Sequence, residues 1–382
     1  MERAHGDGPR RGGILIAGGG TAGHVLPGLA VAAALVERGV VADRSDVHLV
    51  GSRRGVEVEL VPGAGFGLTV LGGRGIQRRL TPANVGALTG LLAGFLRAFL
   101  LMVRARPRVV LSLGGYASIP CGLAAVVLRV PLVVAEQNAV PGAANRLLGR
   151  FARASAVSFV DTALPRPELT GNPVRAAIRS AVGTRSEARA RIGVDDRPLL
   201  VAFGGSLGAR RINRAVADFV EGWRGGPLAV RHVVGARGWA AGEMARAVPA
   251  GVGYTAVAYE HDMPTLLAAA DLVVCRSGAT SVAELAVLGV PSVLVPLPGA
   301  PGDHQTANAR HLAGSGGAVL LADADLDGSA LEDLLGEILS DPPRRDAMAE
   351  AARSMARPDA ADRVVDLILR HAAGRCDDVR DA

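Results

Sequence analysis

The sequence predicts an α/β protein with two parallel-sheet domains that face a cleft. Short apolar runs alternate with longer helical stretches along the chain, and strands separated by helices form parallel sheets. Two glycine-rich loops, one in each half, follow such runs: GGGTAGH at residues 18–24 and GGSLGAR at residues 204–210. A strand that breaks into glycines before a helix presents backbone N–H groups to anions, usually phosphate.

The individual elements follow from the apolar runs. Strands are predicted at residues 14–17, 47–50, 109–113, 132–135, 199–203, 230–234, 272–275 and 292–295. Residues 161–175, rich in proline, predict the interdomain connection. A helical segment over residues 360–373 is predicted to close the chain, followed by a disordered tail at residues 374–382.

Composition narrows the function classes. The 382 residues suffice for two cores, and 49% of them are hydrophobic. Aromatic residues make up only 3%, which argues against nucleic-acid binding by base stacking. The net charge of +6 comes from arginine without any lysine. Either a GC-rich genome or attraction to phosphates and an anionic membrane surface explains this bias.

The cysteines and the N-terminal residues indicate the cellular compartment. Cys121, Cys275 and Cys376 lie far apart and fit neither disulfide nor metal spacing, so we expect a reducing cytoplasm. The first residues contain no apolar signal core, so export by that route is not expected. Because no cluster has metal-ligand spacing, we expect no metal and no cofactor.

An apolar segment at residues 85–103 has two interpretations. It carries one charge, Arg97, whose insertion into a bilayer costs about 2.5 kcal/mol or more, so a membrane span is disfavoured. One interpretation is a helix that covers the first sheet. The other is a helix in the membrane interface, and both can hold together. The residues predicted for this membrane patch are Leu88, Leu91, Leu92, Phe95, Phe99, Arg78, Arg79 and Arg97.

The first loop formally matches G-x-G-x-x-G, the pattern of dinucleotide-binding domains. The next predicted strand is followed by Gly-Ser-Arg-Arg at residues 51–54 and not by an acidic residue, so an NADP-dependent oxidoreductase stays open. His24 directly after the loop argues for other chemistry. The helix dipole favours its neutral form, which can accept a proton; a capping or packing histidine is the alternative.

A dense polar segment begins at Arg276. The helix that follows offers N–H groups and the Thr280 and Ser281 hydroxyls to a diphosphate, and Glu284 is placed to bind a ribose diol. The alternatives are a salt-bridged arginine and a solvated glutamate. Gln305 and Asn308, after the next strand, are candidates for reading a sugar.

Two further polar clusters, GGYAS at residues 114–118 and EQN at residues 136–138, also follow predicted strands. Ligands of parallel sheets bind at the carboxyl ends of the strands, so these clusters are expected to share one edge.

Together these motifs resemble a known family. In order, the chain contains GGGTAGHVLPGLAVA, GGYAS, EQN, GNPVR, GGSLGAR, RSGATSVAEL and DHQTANA. They are similar to the peptidoglycan N-acetylglucosaminyltransferases of bacteria, over nearly the whole chain. The resemblance implies two Rossmann-like domains in the glycosyltransferase B fold. An acceptor and membrane-side domain would cover residues 12–175, with the helix at 358–373 packing back on it, and a UDP-sugar domain would cover residues 176–357.

The resemblance also implies an activity: inverting transfer of N-acetylglucosamine from UDP-N-acetylglucosamine to the C4 hydroxyl of undecaprenyl-diphospho-N-acetylmuramoyl-pentapeptide. The enzyme would lie on the cytoplasmic face of the membrane as a peripheral protein, with other cell-wall synthesis proteins as candidate partners. Rival interpretations are another UDP-sugar enzyme of this fold, such as an epimerase or a glycolipid glycosyltransferase, and a non-catalytic UDP-sugar-binding scaffold.

The resemblance further implies residue roles. His24 is similar to the candidate general base, Arg276 would stabilise phosphate charge, and Tyr116 and Glu136 would lie on the acceptor side. Ala22 stands where some members have glycine. The residues that resemble substrate contacts are Thr21, Ala22, Gly23, Asn138, Arg175, Ser206, Ala279, Thr280, Ser281, Val282, Ala283, Glu284 and Gln305.

Overall fold

The computed structural model describes residues 8–53, 55–72, 83–205 and 208–372. The chain divides into two compact units, one formed by residues 1–175 and 357–382 and the other by residues 176–356. Each unit contains one parallel sheet, of seven strands in the first and six in the second. The prediction of two parallel-sheet α/β domains is confirmed.

The first unit alternates strands with helices. Its elements are β1 (Ile14–Gly18), α1 (Ala22–Glu37), β2 (Val47–Ser52), α2 (Glu57–Gly63), β3 (Gly67–Leu71), α3 (Ala83–Ala105), β4 (Val109–Gly114), α4 (Ser118–Val127), β5 (Leu132–Glu136), α5 (Ala143–Leu148), β6 (Ala154–Val157) and β7 (Pro167–Leu169).

The second unit repeats this alternation, and one last helix follows it. The elements are α6 (Ala176–Ser180), α7 (Arg185–Ile192), β8 (Leu199–Phe203), α8 (Arg210–Gly222), β9 (Leu228–Val233), α9 (Ala236–Ala240), β10 (Val252–Val257), α10 (Met263–Ala269), β11 (Leu272–Cys275), α11 (Ala279–Leu288), β12 (Ser292–Leu294), α12 (His304–Gly314), β13 (Ala318–Leu320), α13 (Gly328–Leu339), α14 (Pro342–Ser354) and α15 (Ala360–His371).

The first sheet is buried on both faces. Successive side chains along a strand point to opposite faces of the sheet. Ile14 and Ile16 of β1 belong to one core cluster, whereas Leu15 and Ala17 belong to the cluster on the opposite face. This double burial explains why the central strands are continuous apolar runs in the sequence.

The final helix belongs to the first unit. Residues Val364, Val365, Leu367 and Ile368 of α15 are buried in the same core cluster as Ile16 of β1. Two arginines add surface links, since Arg38 of α1 bonds Asp366 at 2.6 Å and Arg370 bonds Glu168.

Strand order places the glycine loops. The first sheet runs β3-β2-β1-β4-β5-β6-β7 and the second β10-β9-β8-β11-β12-β13. In each sheet the order reverses between two central strands, β1 and β4 or β8 and β11. Ligands of open α/β sheets bind at such switch points. The first loop and GGYAS flank one switch point, and the second loop and the segment after Cys275 flank the other.

Helix α3 covers the first sheet, as one interpretation of residues 85–103 expected. Ala98 and Met102 are fully buried in the core cluster beneath it. None of the helices in the described ranges has the length and apolarity that crossing a bilayer requires.

Candidate active site

The first glycine loop forms a tight corner at the start of α1. Gly20 has a φ of 98°, which disfavours any residue with a Cβ, and Thr21 has extended backbone before the helix begins at Ala22. The Thr21 hydroxyl oxygen lies 3.1 Å from Nδ1 of His24, one turn into the helix. The loop therefore fixes the imidazole of His24 through its neighbour, with Ala22 and Gly23 half-buried between them.

The GGYAS turn packs directly on this loop. A Cβ on Gly115 would lie 2.4 Å from the Gly19 carbonyl oxygen, so only glycine fits there. The buried Ser118 hydroxyl donates at 2.7 Å to Ala17 O and is also 2.7 Å from Gly114 O. A Cβ on Gly114 would lie 3.3 Å from Nε2 of His24. The two turns thus bring His24 to the backbone after β4.

Tyr116 lies on the outer side of that turn. Its hydroxyl donates to the Gly72 carbonyl at 3.0 Å, and burial raises the pKa of the phenol. The side chain is half-buried and tied to the end of β3.

Glu136 organises the loop after β5. Its carboxylate is buried and accepts hydrogen bonds from Asn138 N and Nδ2, Gly142 N and Asn145 Nδ2, at 2.9 to 3.1 Å. These bonds give Glu136 a positioning role for Asn138. The Glu136 carboxylate is therefore enclosed by donors of the protein, whereas half-buried Asn138 stays a candidate for the predicted acceptor contact.

Asn145 is a site residue that the sequence analysis missed. It is buried on α5, where its amide also donates to Ala135 O at 3.0 Å and accepts from Ser112 at 3.2 Å. A Cβ on Gly114 would lie 3.2 Å from its Nδ2, which places it beside His24. The available signal was an asparagine between the alanines and leucines of AANRLL, a segment whose other polar residue is Arg146.

Glu57 is a second missed residue. Its carboxylate oxygens lie 3.1 and 3.0 Å from the Gly20 backbone nitrogen, inside the first glycine loop. In a dinucleotide-binding loop that N–H side faces pyrophosphate. An internal carboxylate at this position disfavours the NADP interpretation.

In the second unit, helix α11 begins at the end of β11. Gly278 precedes it with extended backbone, and the first-turn N–H groups of Ala279, Thr280 and Ser281 have no intrahelical acceptors. The Thr280 Oγ1 atom is buried without a hydrogen-bond partner in the described part of the chain. Further along α11, Val282 and Glu284 are buried and Ala283 is half-buried.

The structure places Arg276 in an ion pair. Its Nη1 donates to Asp323 Oδ1 at 2.6 Å and to the carbonyls of Val295 and Pro296. Because Asp323 neutralises the guanidinium, the salt-bridged alternative describes Arg276 better than the predicted phosphate contact.

Residues of α12 hold the loop before α11. The Ser277 hydroxyl donates to the Gln305 carbonyl at 2.8 Å, and buried Asn308 donates to Ser277 O at 3.2 Å. The side-chain oxygen of Gln305 accepts from Leu297 N at 2.9 Å. Asn308 therefore supports the backbone, whereas half-buried Gln305 stays a candidate ligand contact.

The second glycine loop closes on the end of β9. A Cβ on Gly208 would lie 2.2 Å from Val234 O, and Asn213 Nδ2 donates to that oxygen at 2.9 Å. Asn213 also bonds His232 at 3.2 Å, and burial lowers the His232 pKa to about 4. Ser206 lies outside the described residues. Arg175 ends the first unit and is half-buried.

The apolar face of α3 differs from the predicted one. Phe95 and Phe99 are partly buried against the core, because α3 packs that side on the sheet and α4. Leu91 is half-buried and Arg97 exposed. Arg78, Arg79 and the Leu88 side chain lie outside the described residues. The exposed stripe, named the α3 stripe here, consists of Leu92, Leu96, Leu100 and Val103.

Two family profiles match the chain. The Glycosyltransferase family 28 N-terminal domain matches residues 14–157 and the C-terminal domain matches residues 199–364. A UDP-N-acetylglucosamine–N-acetylmuramyl-(pentapeptide) pyrophosphoryl-undecaprenol N-acetylglucosamine transferase of Desulforudis audaxviator is 40% identical, covering 93% of this chain and 97% of the relative. The transferase of that name from Alkalilimnicola ehrlichii is 41% identical, covering 94% and 99%.

A crystal structure of Acinetobacter baumannii MurG has a TM-score of 0.75 and 30% identity, covering 94% of this chain and 99% of that one. The chain belongs to the MurG family. Family membership confirms the resemblance seen in the motifs and makes the chain a glycosyltransferase. The N-terminal profile covers His24, Tyr116 and Asn138, and the C-terminal profile covers the α11 residues and Gln305.

Among the described residues, no three His, Cys, Asp or Glu side chains are grouped to hold a metal ion.

Proposed function

We propose that the chain transfers N-acetylglucosamine from UDP-N-acetylglucosamine to the C4 hydroxyl of undecaprenyl-diphospho-N-acetylmuramoyl-pentapeptide, with inversion, in peptidoglycan synthesis. Relatives at 40% identity are named for this donor and acceptor. The structural observation that carries the proposal is the start of α11, where N–H groups and a buried hydroxyl meet.

The donor binds the second unit at this helix start. The first-turn N–H groups of α11 and the Thr280 hydroxyl donate to the diphosphate, and the positive end of the helix dipole favours its charge. Glu284 accepts hydrogen bonds from the ribose hydroxyls, and Gln305 contacts the sugar. Ser206 and Arg175 complete the donor contacts.

The acceptor binds the first unit beside the two packed glycine turns, with Asn138 and Tyr116 in contact. His24 is the general base. With its Nδ1–H donating to Thr21 Oγ1, the Nε2 lone pair accepts the proton of the C4 hydroxyl. Thr21, Ala22 and Gly23 keep the imidazole in place.

The reaction then balances as one displacement. The C4 oxygen forms a bond to the anomeric carbon while the bond from that carbon to the diphosphate oxygen breaks, so UDP leaves with its electron pair. The proton of the attacking hydroxyl moves to His24. The helix start stabilises the charge that develops on UDP in the transition state.

The α3 stripe docks on an anionic membrane surface, where the acceptor's lipid is held. Its leucines meet the interface, and exposed Arg97 and Arg104 lie on the same helix. In this proposal the protein is peripheral on the cytoplasmic face of the membrane, close to other cell-wall synthesis proteins.

Radiolabelled UDP-N-acetylglucosamine with a lipid-linked muramoyl-pentapeptide analogue tests the function. We expect label transfer by the wild type and a loss of about 10²- to 10⁴-fold in kcat for His24→Ala, because a general base contributes that much. His261→Ala, at an exposed histidine of the second unit, serves as control and keeps wild-type activity.

Different results reject different parts of the proposal. Folded wild-type protein that transfers no label would overturn the function, and donor turnover without acceptor would indicate an epimerase. A His24→Ala variant with near wild-type kcat would overturn only the base assignment.

A further inference from the structure

Glu57, the first residue of α2, is buried inside the first glycine loop. Its side chain is 1% exposed. The two carboxylate oxygens lie 3.1 and 3.0 Å from Gly20 N, and Oε1 also accepts from Ser52 N at 2.6 Å and from the Ser52 hydroxyl at 2.8 Å. One carboxylate thus joins the loop after β1 to the end of β2.

Glycine residues surround this carboxylate closely. A Cβ on Gly19 would lie 2.2 Å from Oε1, and a Cβ on Gly55 would lie 1.9 Å from Oε2. A Cβ on Gly51 would lie 2.5 Å from the Glu57 Cγ. Gly19 in the first loop, Gly51 in β2 and Gly55 after that strand therefore pack closely against this one side chain.

The position is one that an anion would otherwise take. Glycine loops before a helix hold phosphate through backbone N–H groups and the positive helix end. Here the Gly20 N–H already has a carboxylate acceptor from the same unit. Burial of a carboxylate is costly unless it is hydrogen-bonded, and the three donors supply that compensation.

The carboxylate binds the residue next to Thr21, and Thr21 is the hydrogen-bond partner of the proposed base. Gly20 precedes Thr21, whose hydroxyl lies 3.1 Å from His24 Nδ1, and the Gly19 carbonyl contacts the turn at Gly115. A shift of Gly20 would therefore move Thr21 and the imidazole together.

We propose that Glu57 is an internal anion ligand of the first glycine loop and a positioning residue for His24. It closes the Gly20 side of the loop to phosphate and holds the Thr21–His24 corner in its reactive geometry. The second part rests on the proposed function, because it assumes that His24 accepts the acceptor's proton.

Kinetics of Glu57→Ala and Glu57→Gln in the full chain test the positioning role. We expect kcat to fall at least about tenfold in Glu57→Ala, toward the hundredfold that a displacement of about 1 Å costs. The kcat of Glu57→Gln, which keeps one acceptor oxygen, should lie between the kcat of Glu57→Ala and that of the wild type. The Kd of UDP, measured by calorimetry, and the KM for UDP-N-acetylglucosamine stay within twofold.

Glu59→Gln is the matched control, because Glu59 is an exposed glutamate on the same helix. It should leave kcat, KM and UDP affinity unchanged. If Glu57→Ala does not fold, Ser52→Ala replaces it, because it removes one donor to the carboxylate while leaving the helix intact. A near wild-type kcat in folded Glu57→Ala overturns the positioning role, and so does a near wild-type kcat in both Ser52→Ala and Glu57→Gln. A loss of UDP affinity as large as the loss of kcat overturns it too.

An activity-free measurement separates this proposal from the reaction itself. In ¹⁵N-labelled protein, the Gly20 amide and the His24 ring resonances should shift in Glu57→Gln and not in Glu59→Gln. Unshifted resonances overturn the internal-ligand role even in an active enzyme. Shifted resonances in a wild type that transfers no label would uphold that role while rejecting the proposed function.

Discussion

At the scale of single residues, hydrogen bonds decide which polar side chains can meet a ligand. Glu136 lies at the sheet edge where the sequence predicted it, yet its oxygens accept from Asn138, Gly142 and Asn145. Asn145 is nine residues away from it. The spacing of the motifs predicts that Glu136 lies at the sheet edge. It does not predict the hydrogen bond from Asn145, which lies on helix α5.

The Arg276–Asp323 pair yields a prediction at this scale. Both side chains are largely buried, 12% and 14% exposed, so removing one charge leaves the other buried without its ion-pair partner. We expect Asp323→Ala to lower the free energy of unfolding by about 3 kcal/mol, and the added Arg276→Met to restore most of it. Urea unfolding followed by tryptophan fluorescence measures this, because both tryptophans, Trp223 and Trp239, lie in the second unit.

The exposed pair Arg344–Glu337 of the second unit provides a comparison. Glu337→Ala should cost below about 1 kcal/mol, since surface ion pairs contribute little. A cost for Asp323→Ala as small as this would contradict the structural role assigned to Arg276.

At the scale of elements, the sequence predicted central strands better than edge strands. All eight predicted strands exist, and 199–203 and 272–275 match exactly. The missed strands β3, β7, β10 and β13 lie at sheet edges and are partly exposed. Polar residues or glycine interrupt the apolar run in β3, β7 and β10, whereas β13 has only three residues.

Two further elements show other limits of the apolar pattern. Strand β6 is buried but consists of ASAV, whose small residues carry little hydrophobic signal. The predicted connection at residues 161–175 contains the edge strand β7. Pro167 is compatible with this strand because proline is tolerated at the first residue of an edge strand.

Helix α3 shows why the period of a helix does not give its orientation. Residues 85–103 are apolar on nearly every side, so the sequence could not tell which leucines and phenylalanines meet the sheet. Contacts with α4 settle it: Phe95 packs inward, and the α3 stripe faces out.

Substitutions on α3 should separate docking from folding. Leu96, 53% exposed, contributes to the surface alone, so Leu96→Ser should reduce binding to anionic phospholipid vesicles severalfold without changing Tm. Phe95→Ser should lower Tm, because it removes a core contact. Vesicle co-sedimentation and thermal melting measure both, and unchanged co-sedimentation of Leu96→Ser would argue against docking through the α3 stripe.

At the scale of the whole molecule, each unit carries one buried histidine among its described residues. Burial lowers the pKa of His48 in the first unit and of His232 in the second to about 4. His48 bonds Thr69 at 2.8 Å, and His232 bonds Tyr254 at 2.9 Å. Both units are therefore sensitive to acid through the same physical cause.

This sensitivity predicts a pH dependence. The unfolded chain protonates a histidine near pH 6.5, whereas folded His232 stays neutral down to about pH 4. The free energy of unfolding therefore decreases as pH falls from 6.5 toward 4, by at most about 1.4 kcal/mol per pH unit for each histidine. Urea unfolding by tryptophan fluorescence at pH 7.5 and 5.0 measures the second unit.

His232→Gln should flatten this dependence, whereas His261→Gln, at an exposed histidine, should not. An equal pH response in wild type and His232→Gln would show that other groups cause it.

The place of α15 in the core of the first unit has a consequence for biosynthesis. Residues 1–175 leave the ribosome first but lack the helix at Ala360–His371 that covers Ile16 and its neighbours. The second unit is contiguous, from residue 176 to 356, and can complete its core as soon as it has emerged. The segment synthesised first therefore cannot complete its core until α15 is made, and until then Ile16 and its neighbours lack the cover of that helix.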